Sequence, residues 1–215
     1  MKLTTTAIRS LLSATVLFAG LLLAGCSGLT LGGQQAVSWF TLNDQHVARK
    51  SEEPSVDAVL IIGQVDANPF YDSTQLAFSR SEIARAYYQY AAWTERPTKR
   101  LSTLIERRLA EREGFKAVAN ATAGIRGDLL LNLSLEEIYH DTAAQPPVAR
   151  IALQAALIQA SNRSLLARKR FESTAQVKTP DAASAVTALN SATTELIDQL
   201  SAWVEQQSQA KGEKR

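Results

Sequence analysis

The sequence predicts a single α/β domain, in which a mixed β-sheet carries flanking helices. Strand-like and helix-like segments alternate in the first half of the chain, whereas long segments with apolar residues at alternate positions dominate the second half. A helical pattern closes the chain, and this order of elements is typical of a sheet of mixed strand direction with helices packed on it. The 215 residues are 46% hydrophobic and 20% charged, as expected for a folded globular domain.

Residues 1–25 have the pattern of a bacterial lipoprotein signal peptide. Two basic residues near the start precede an apolar run, residues 11–23, that is too short to cross a hydrocarbon core about 30 Å thick. The run ends in the sequence Leu-Ala-Gly-Cys, residues 23–26, which resembles a lipobox. We therefore expect cleavage before Cys26, attachment of diacylglycerol to its sulfur and acylation of its new amino group, with no other cofactor. The alternative is an ordinary signal peptide with an incidental cysteine.

The charge balance and the single cysteine exclude several classes of protein. Removal of Lys2 and Arg9 with the signal peptide takes the 23 basic residues down to 21, equal to the 21 acidic residues. A neutral mature chain argues against nucleic acid as a partner. One cysteine excludes an intramolecular disulfide and a multi-cysteine zinc site. Ser27 follows the cysteine, where aspartate generally favours inner-membrane retention, so we expect a lipid anchor at the periplasmic face of the outer membrane.

The mature chain divides into a tether, one domain and a tail. Residues 26–36 are rich in Gly, Ser and Gln and predict a flexible tether, residues 37–207 form the domain, and residues 208–215 form a polar tail. Runs of branched and aromatic residues, or strict alternation of apolar and polar residues, predict the strands. The predicted strands cover residues 37–42, 56–65, 75–79, 86–91, 115–119, 129–139, 148–160 and 165–174.

Two helices complete the predicted fold. The first begins with Thr98 as its N-cap, after Pro97 has ended the preceding strand, and runs to about residue 113. The second runs from about residue 181 to residue 207. Apolar residues at helical spacing mark the face that each helix buries. These stripes consist of Leu101, Leu104, Ile105 and Leu109 in the first helix and of Val186, Leu189, Thr193, Leu196, Ile197, Leu200, Trp203 and Val204 in the second.

No residue pattern in the sequence points to catalysis or to a metal site. The two histidines, His46 and His140, lie far apart without metal-ligand spacing, and we expect both to be exposed in loops. The sequence has no serine-hydrolase elbow and no phosphate-binding loop. We therefore expect a protein that is not an enzyme, with no catalytic residue and no bound metal. The basic helix 98–113 predicts either a solvated face with salt-bridge partners or a docking surface for an acidic partner or anionic headgroups.

Four features, in order along the chain, resemble the ABC-type transport auxiliary lipoprotein family. The first is the lipobox followed by the strand-like sequence WFTL. The second is the loop PFYD before the sequence QLAF, and the third is the sequence YYQYAAWTERP, which is similar to the family's tryptophan-alanine-glutamate-proline-proline signature. The fourth is the helix that follows and leads into the sequence EGF. These sequences occupy residues 39–42, 69–78, 87–97 and 101–115, with Thr94 in place of the usual alanine and Arg96 in place of the usual first proline.

The resemblance implies a Rossmann-like fold that binds no nucleotide and a role in MCE-type intermembrane lipid transport. Members of this family are small periplasmic lipoproteins of the outer membrane that contact a tunnel-forming MCE-domain protein of the inner membrane. An inner-membrane ATPase supplies the energy, so this chain would act as a non-enzymatic adaptor. The residues alone leave open a stand-alone envelope lipoprotein that binds lipid or another envelope component, and they leave open self-association into a homo-oligomer.

Aromatic residues are concentrated in residues 69–97, which hold seven of the 14 in the chain. At this density they form either part of the core or a set of binding anchors. The loop residues suit binding better, because loops carry recognition. The candidate partner-binding residues of this segment are Pro69, Phe70, Tyr71, Trp93, Arg96 and Pro97.

Overall fold

The computed structural model of the chain describes residues 35–47, 50–51 and 56–212. Within these residues the elements are β1 (Ser38–Phe40), β2 (Val56–Ala67), β3 (Gln75–Ser79), β4 (Arg85–Trp93), α1 (Pro97–Glu111), β5 (Phe115–Asn120), β6 (Leu129–Asp141), β7 (Val148–Gln159), β8 (Leu165–Gln176) and α2 (Ala182–Gly212). A short 3-10 turn (Ala121–Ala123) follows β5. The predicted signal peptide, Cys26 and all but the last two residues of the predicted tether lie outside the described residues.

Strand β6 is the centre of the mixed eight-stranded sheet. Strand β7 pairs with it antiparallel along its whole length, and β8 pairs with β7. On the other side, β2 runs parallel to the first half of β6 and β3 runs parallel to its end, where Phe78 lies opposite His140. Beyond β2 lies the parallel strand β5, and beyond β3 lie β4 and β1. The predicted α/β class with a mixed sheet is therefore confirmed.

The two helices bury the apolar stripes that the sequence predicts. Helix α1 packs on β2 and β5, whereas α2 packs on β7 and β8, and the two helices also contact each other. Every stripe residue predicted for the two helices is buried. Leucines at alternate positions of β6, from Leu129 to Leu135, are buried as well, while Asn132 and Ser134 between them are exposed. The core thus lies between one face of the sheet and the helices, as the periodicities require.

Both helices have ends that differ from the predicted ones. Helix α1 begins at Pro97, not after a Thr98 cap, because proline is well suited to a first helical position and restrains Arg96 before it to an extended conformation. Helix α2 continues to Gly212 through the polar sequence predicted as a tail. Ser208 in that stretch is buried and its hydroxyl donates to the carbonyl of Val204 at 2.7 Å. Polar composition therefore does not mark the end of this helix.

The prediction that both histidines are exposed is wrong. His140 is completely buried, because β6 runs beyond it to Asp141 and is flanked there by β3 and β7. The hydroxyl of Tyr88 lies 2.7 Å from its Nδ1. Burial lowers the pKa of His140 and raises the pKa of Tyr88 to about 12. His46 is mostly buried between the carboxylates of Asp44 and Glu111, at 3.3 and 3.1 Å.

The basic face of α1 is also less solvated than the first alternative predicts. The side chain of Arg108 is 1% exposed and lies between Asp44, in the loop after β1, and Asp198 of α2. Its Nε donates to Asp44 at 3.0 Å, and its two terminal nitrogens reach one oxygen of each carboxylate. One turn later, two guanidinium nitrogens of Arg112 form a bidentate ion pair with the carboxylate of Glu205, and both distances are 2.7 Å. These ion pairs join the loop after β1 and the two helices.

Candidate functional site

A groove of about 790 Å³ opens at the carboxyl end of β2. It forms where the sheet divides, because β2 ends halfway along β6 and the chain turns away to reach β3. The first turns of α1 form one wall, and the end of β5 closes the site. Ligands of open α/β sheets commonly bind at such carboxyl ends. The lining residues are Gln64, Val65, Asp66, Ala67, Asp72, Arg96, Thr98, Lys99, Ser102, Thr103, Glu106, Asn120 and Thr122.

The loop beside this groove has a fixed shape. The loop begins at Asn68, whose side-chain oxygen accepts a hydrogen bond from the backbone N–H of Phe70 at 2.9 Å. The backbone carbonyl of Asn68 accepts from the N–H groups of Tyr71 and Asp72. The ring of Phe70 stacks on Tyr87 with centroids 4.4 Å apart, and the Tyr87 hydroxyl donates to the carbonyl of Phe70 at 2.8 Å. Tyr71 meets Phe70 edge to face, and burial raises the pKa of Tyr71. The loop is therefore held against β4.

Asp72 connects this loop to the start of α1. The hydroxyl of Thr98 donates to one carboxylate oxygen at 2.7 Å, and the guanidinium of Arg96 lies 3.5 Å from the other. A carboxylate near the first turn of a helix is also favoured by the helix dipole. Asp72 thus brings residues 69–71 and residues 96–97, which the sequence proposes separately, to the same part of the surface.

The far side of the groove is tied together by Asn120 at the end of β5. Its side-chain amide donates to the Ser102 hydroxyl at 2.8 Å, and its backbone N–H donates to the Glu106 carboxylate at 3.2 Å. Its side-chain oxygen also accepts from the N–H of Thr122 and begins the 3-10 turn. These contacts hold the groove wall on α1 against the sheet.

The groove carries both signs of charge. Asp66, Asp72 and Glu106 line it together with Arg96 and Lys99. Arg96 and Lys99 are largely exposed, and their ion pairs with acidic neighbours are long, at 3.5 Å each. Charges arranged in this way suit the polar edge of a protein partner, since exposed and loosely paired groups exchange partners at small cost.

The structure assigns different places to the six candidate partner-binding residues. Trp93 is a correction: its side chain is 2% exposed and fills the core, because the side chain on that face of β4 points toward the helices. Pro97 is buried as the first residue of α1. Phe70 and Tyr71 are half-buried, and Pro69 and Arg96 are exposed.

Sequence reasoning missed most of the groove. Lys99, Glu106, Asn120 and Thr122 come from three elements that only the tertiary structure brings together. Arg96 is the lining residue that the sequence analysis proposes, and Asp72 also has a local signal, since it directly follows the aromatic loop. Among the described residues, no group of three or more His, Cys, Asp or Glu side chains is placed to hold a metal ion. No helix within the described ranges is long and apolar enough to cross a membrane.

Solved structures show that the fold occurs elsewhere. Protein XCC0632 from Xanthomonas campestris, described as a DUF330 protein, aligns with a TM-score of 0.77 and 22% identity over 82% of this chain and 99% of that protein. The hypothetical protein CT253 from Chlamydia trachomatis aligns with a TM-score of 0.52 and 12% identity over 72% of this chain and 99% of its own. At these identities the likeness concerns the fold alone. No curated protein sequence matches the chain.

A family model identifies the sequence more specifically. The model is described as ABC-type transport auxiliary lipoprotein component, and it matches residues 40–201. That range begins at the last residue of β1 and ends within α2, so it includes the groove and the aromatic loop. The resemblance inferred from the sequence is therefore confirmed. The chain belongs to the family of ABC-type transport auxiliary lipoprotein components.

Proposed function

We propose that the chain is an outer-membrane lipoprotein, anchored through Cys26, that acts as a non-enzymatic periplasmic adaptor of an MCE-type lipid transport system. The observation that carries this proposal is the family match over residues 40–201, which describes an auxiliary lipoprotein component of ABC-type transport. The partner is an MCE-domain protein that reaches across the periplasm from the inner membrane.

The groove and the loop of residues 68–73 are the proposed docking surface. Their backbone is fixed by the Asn68 turn and by Asp72, so little order has to be gained on binding. The exposed Pro69 and Arg96 lie beside a groove of mixed charge, which fits the polar rim of a protein interface.

Site-specific photo-crosslinking in cells tests the docking surface. A photoreactive amino acid replaces Pro69 in the full-length chain, and a matched control places it at Leu165, which is exposed at the start of β8. The expected result is a covalent adduct with the MCE-domain protein from position 69 and none from position 165. Adducts with lipid or with other envelope proteins alone, from an acylated and folded chain, would instead favour a stand-alone envelope lipoprotein.

A charge reversal provides the second test. Arg96→Glu is expected to weaken co-purification with the MCE-domain protein, whereas Arg168→Glu on the exposed side of β8 makes the same charge change without effect. Both variants should melt close to the parent chain, because exposed ion pairs contribute at most about 1 kcal/mol. Equal co-purification of the two variants with the parent chain would remove the groove from the interface.

A further inference from the structure

Three apolar side chains form an exposed patch on the edge of the sheet. Trp39 is 61% exposed on β1, and Val37 and Tyr90 are also exposed. In the register of the sheet, Trp39 lies opposite Ala92 and Ser38 lies opposite Ala91. Val37 and Trp39, two residues apart, share a face, and Tyr90 is exposed on the neighbouring strand, directly before Ala91 and within the stretch where the register of β4 against β3 shifts. We call these three residues, Val37, Trp39 and Tyr90, the edge patch.

The edge patch points away from the core. Phe40 and Trp93 lie opposite each other in the same register and pack on the other face, toward the buried cluster. Among the described residues, β1 pairs only with β4. A large exposed aromatic side chain such as Trp39, on an edge strand that is paired on one side, favours association with a further surface.

The direction of β1 gives the side of the sheet at which this strand begins. Since β1 is parallel to β4, the chain enters β1 from the side on which β4 begins, which is the side of the β3–β4 hairpin. At the tip of that hairpin, Ile83 is 97% exposed. Residues 27–36 separate Cys26 from Val37. A chain of that length spans at most about 36 Å and has a root-mean-square extension of roughly 18 Å when it is flexible.

We propose that the edge patch lies against the headgroup region of the phospholipid bilayer that holds the acyl chains of Cys26. This inference rests on the proposed lipid anchor. Trp and Tyr rings combine an apolar body with a polar tip, and they are enriched at membrane interfaces for that reason. A connection of residues 27–36 would keep the patch within about 36 Å of an anchor at Cys26, so a few side chains would suffice for contact.

A second copy of the chain is a weaker candidate for the occupant. Stable protein interfaces bury about 800 Å² on each partner and involve roughly 20–30 residues a side. The edge patch offers three large side chains. Contact with a bilayer has no such minimum, because the anchor already supplies the binding energy and the patch only orients the domain.

Tryptophan fluorescence in vesicles tests the proposal. The acylated full-length chain is reconstituted into phosphatidylethanolamine–phosphatidylglycerol vesicles whose acyl chains carry bromine near the headgroup, since bromine quenches on contact. Trp93 and Trp203 are buried in the core, so a Trp39→Phe variant measures the background. The expected result is a loss of the Trp39 emission in brominated vesicles relative to unbrominated ones.

A matched control moves the reporter to the other edge of the sheet. The double variant Trp39→Phe and Leu165→Trp places a tryptophan at a site that is 54% exposed in the parent chain, at the start of β8. Its emission should be unaffected by the brominated lipid. Equal quenching of both reporters, or quenching of neither, would overturn the proposal. Trp39 emission that is protected from an aqueous quencher but not quenched by bromine would also overturn it, because this result indicates a protein occupant.

The anchor and the patch can fail separately in this experiment. Mass spectrometry and vesicle flotation report whether Cys26 is acylated and holds the chain to the membrane. A chain that is not acylated would contradict the proposed anchor, and the patch proposal with it. A chain that is acylated and floats with the vesicles, but keeps its full Trp39 emission, would overturn only the contact proposed here.

Discussion

Replacement of Arg108 by methionine is expected to destabilise the domain more than any other change on the basic face of α1. The guanidinium is 1% exposed, and it pairs with Asp44, whose side chain is completely buried, and with Asp198 at the surface. Methionine fills a similar volume without the charge. The change would leave the Asp44 carboxylate buried, with His46 at 3.3 Å as its remaining close partner.

The size of the destabilisation depends on how far the Asp44 carboxylate remains buried and without a partner charge. Removal of one partner from a buried ion pair costs about 3–5 kcal/mol, mainly because the other charge stays out of water. We expect about 3 kcal/mol for Arg108→Met, at the lower end, since Asp198 is half-exposed and regains water. For a domain of this size, each kcal/mol lowers the melting temperature by roughly 2–4 °C, so the shift should be about 10 °C.

Urea unfolding and thermal melts of the full chain provide the measurement. Arg107→Met is the matched control, because Arg107 is the adjacent residue, is 44% exposed and has only a 3.9 Å ion pair with Glu111. Its cost should stay below about 1 kcal/mol. In a double-mutant cycle, Asp44→Asn should cost less on the Arg108→Met background than on the parent chain. Equal stability of the two single arginine variants would refute this account of a buried, uncompensated charge.

Four further predictions concern other parts of the chain. Burial lowers the pKa of His140, so the unfolded chain binds its proton more strongly and the free energy of unfolding should fall as the pH drops below about 6.5; His140→Asn should flatten this dependence in urea titrations. Tyr71→Ala should cost about 1–3 kcal/mol in thermal melts, because its ring is half-buried against the core, and an unchanged melting temperature would contradict this packing. A Cβ on Gly127 would lie 2.3 Å from the Ile61 side chain, so Gly127→Ala should lower stability by about 1–3 kcal/mol, which chemical denaturation measures. Cys26→Ala should give a chain without acylation at that position, and mass spectrometry that finds normal processing would rule out the anchor.

The groove has a consequence for how an adaptor of this kind would work. Its walls belong to separate elements that are linked by short polar contacts through Asp72 and Asn120. The ion pairs of Arg108 and Arg112 hold the same helix from its other end. Docking at the groove would therefore meet a surface that these contacts hold in place.

Local patterns determined most of the fold by themselves. Alternating leucines in β6 and the apolar stripes of α1 and α2 depend only on which residues share a face of a strand or helix, and that is a property of the local sequence. The lipobox-like sequence before Cys26 is likewise read from a few neighbouring residues. An apolar face can be buried against many different strands or helices. The faces that become buried can therefore be predicted without knowing the tertiary structure.

The tertiary structure alone decided where the polar and aromatic residues are placed. Arg108 is buried because Asp44 and Asp198, 64 and 90 residues away in the chain, meet it there. His140 is buried because two other strands flank the end of β6. Trp93 of β4 is buried in the core, whereas Trp39 of the neighbouring strand β1 is exposed, although both are tryptophans in strand-like sequences. Such outcomes depend on contacts between distant residues, and these contacts leave no periodic signal in the sequence.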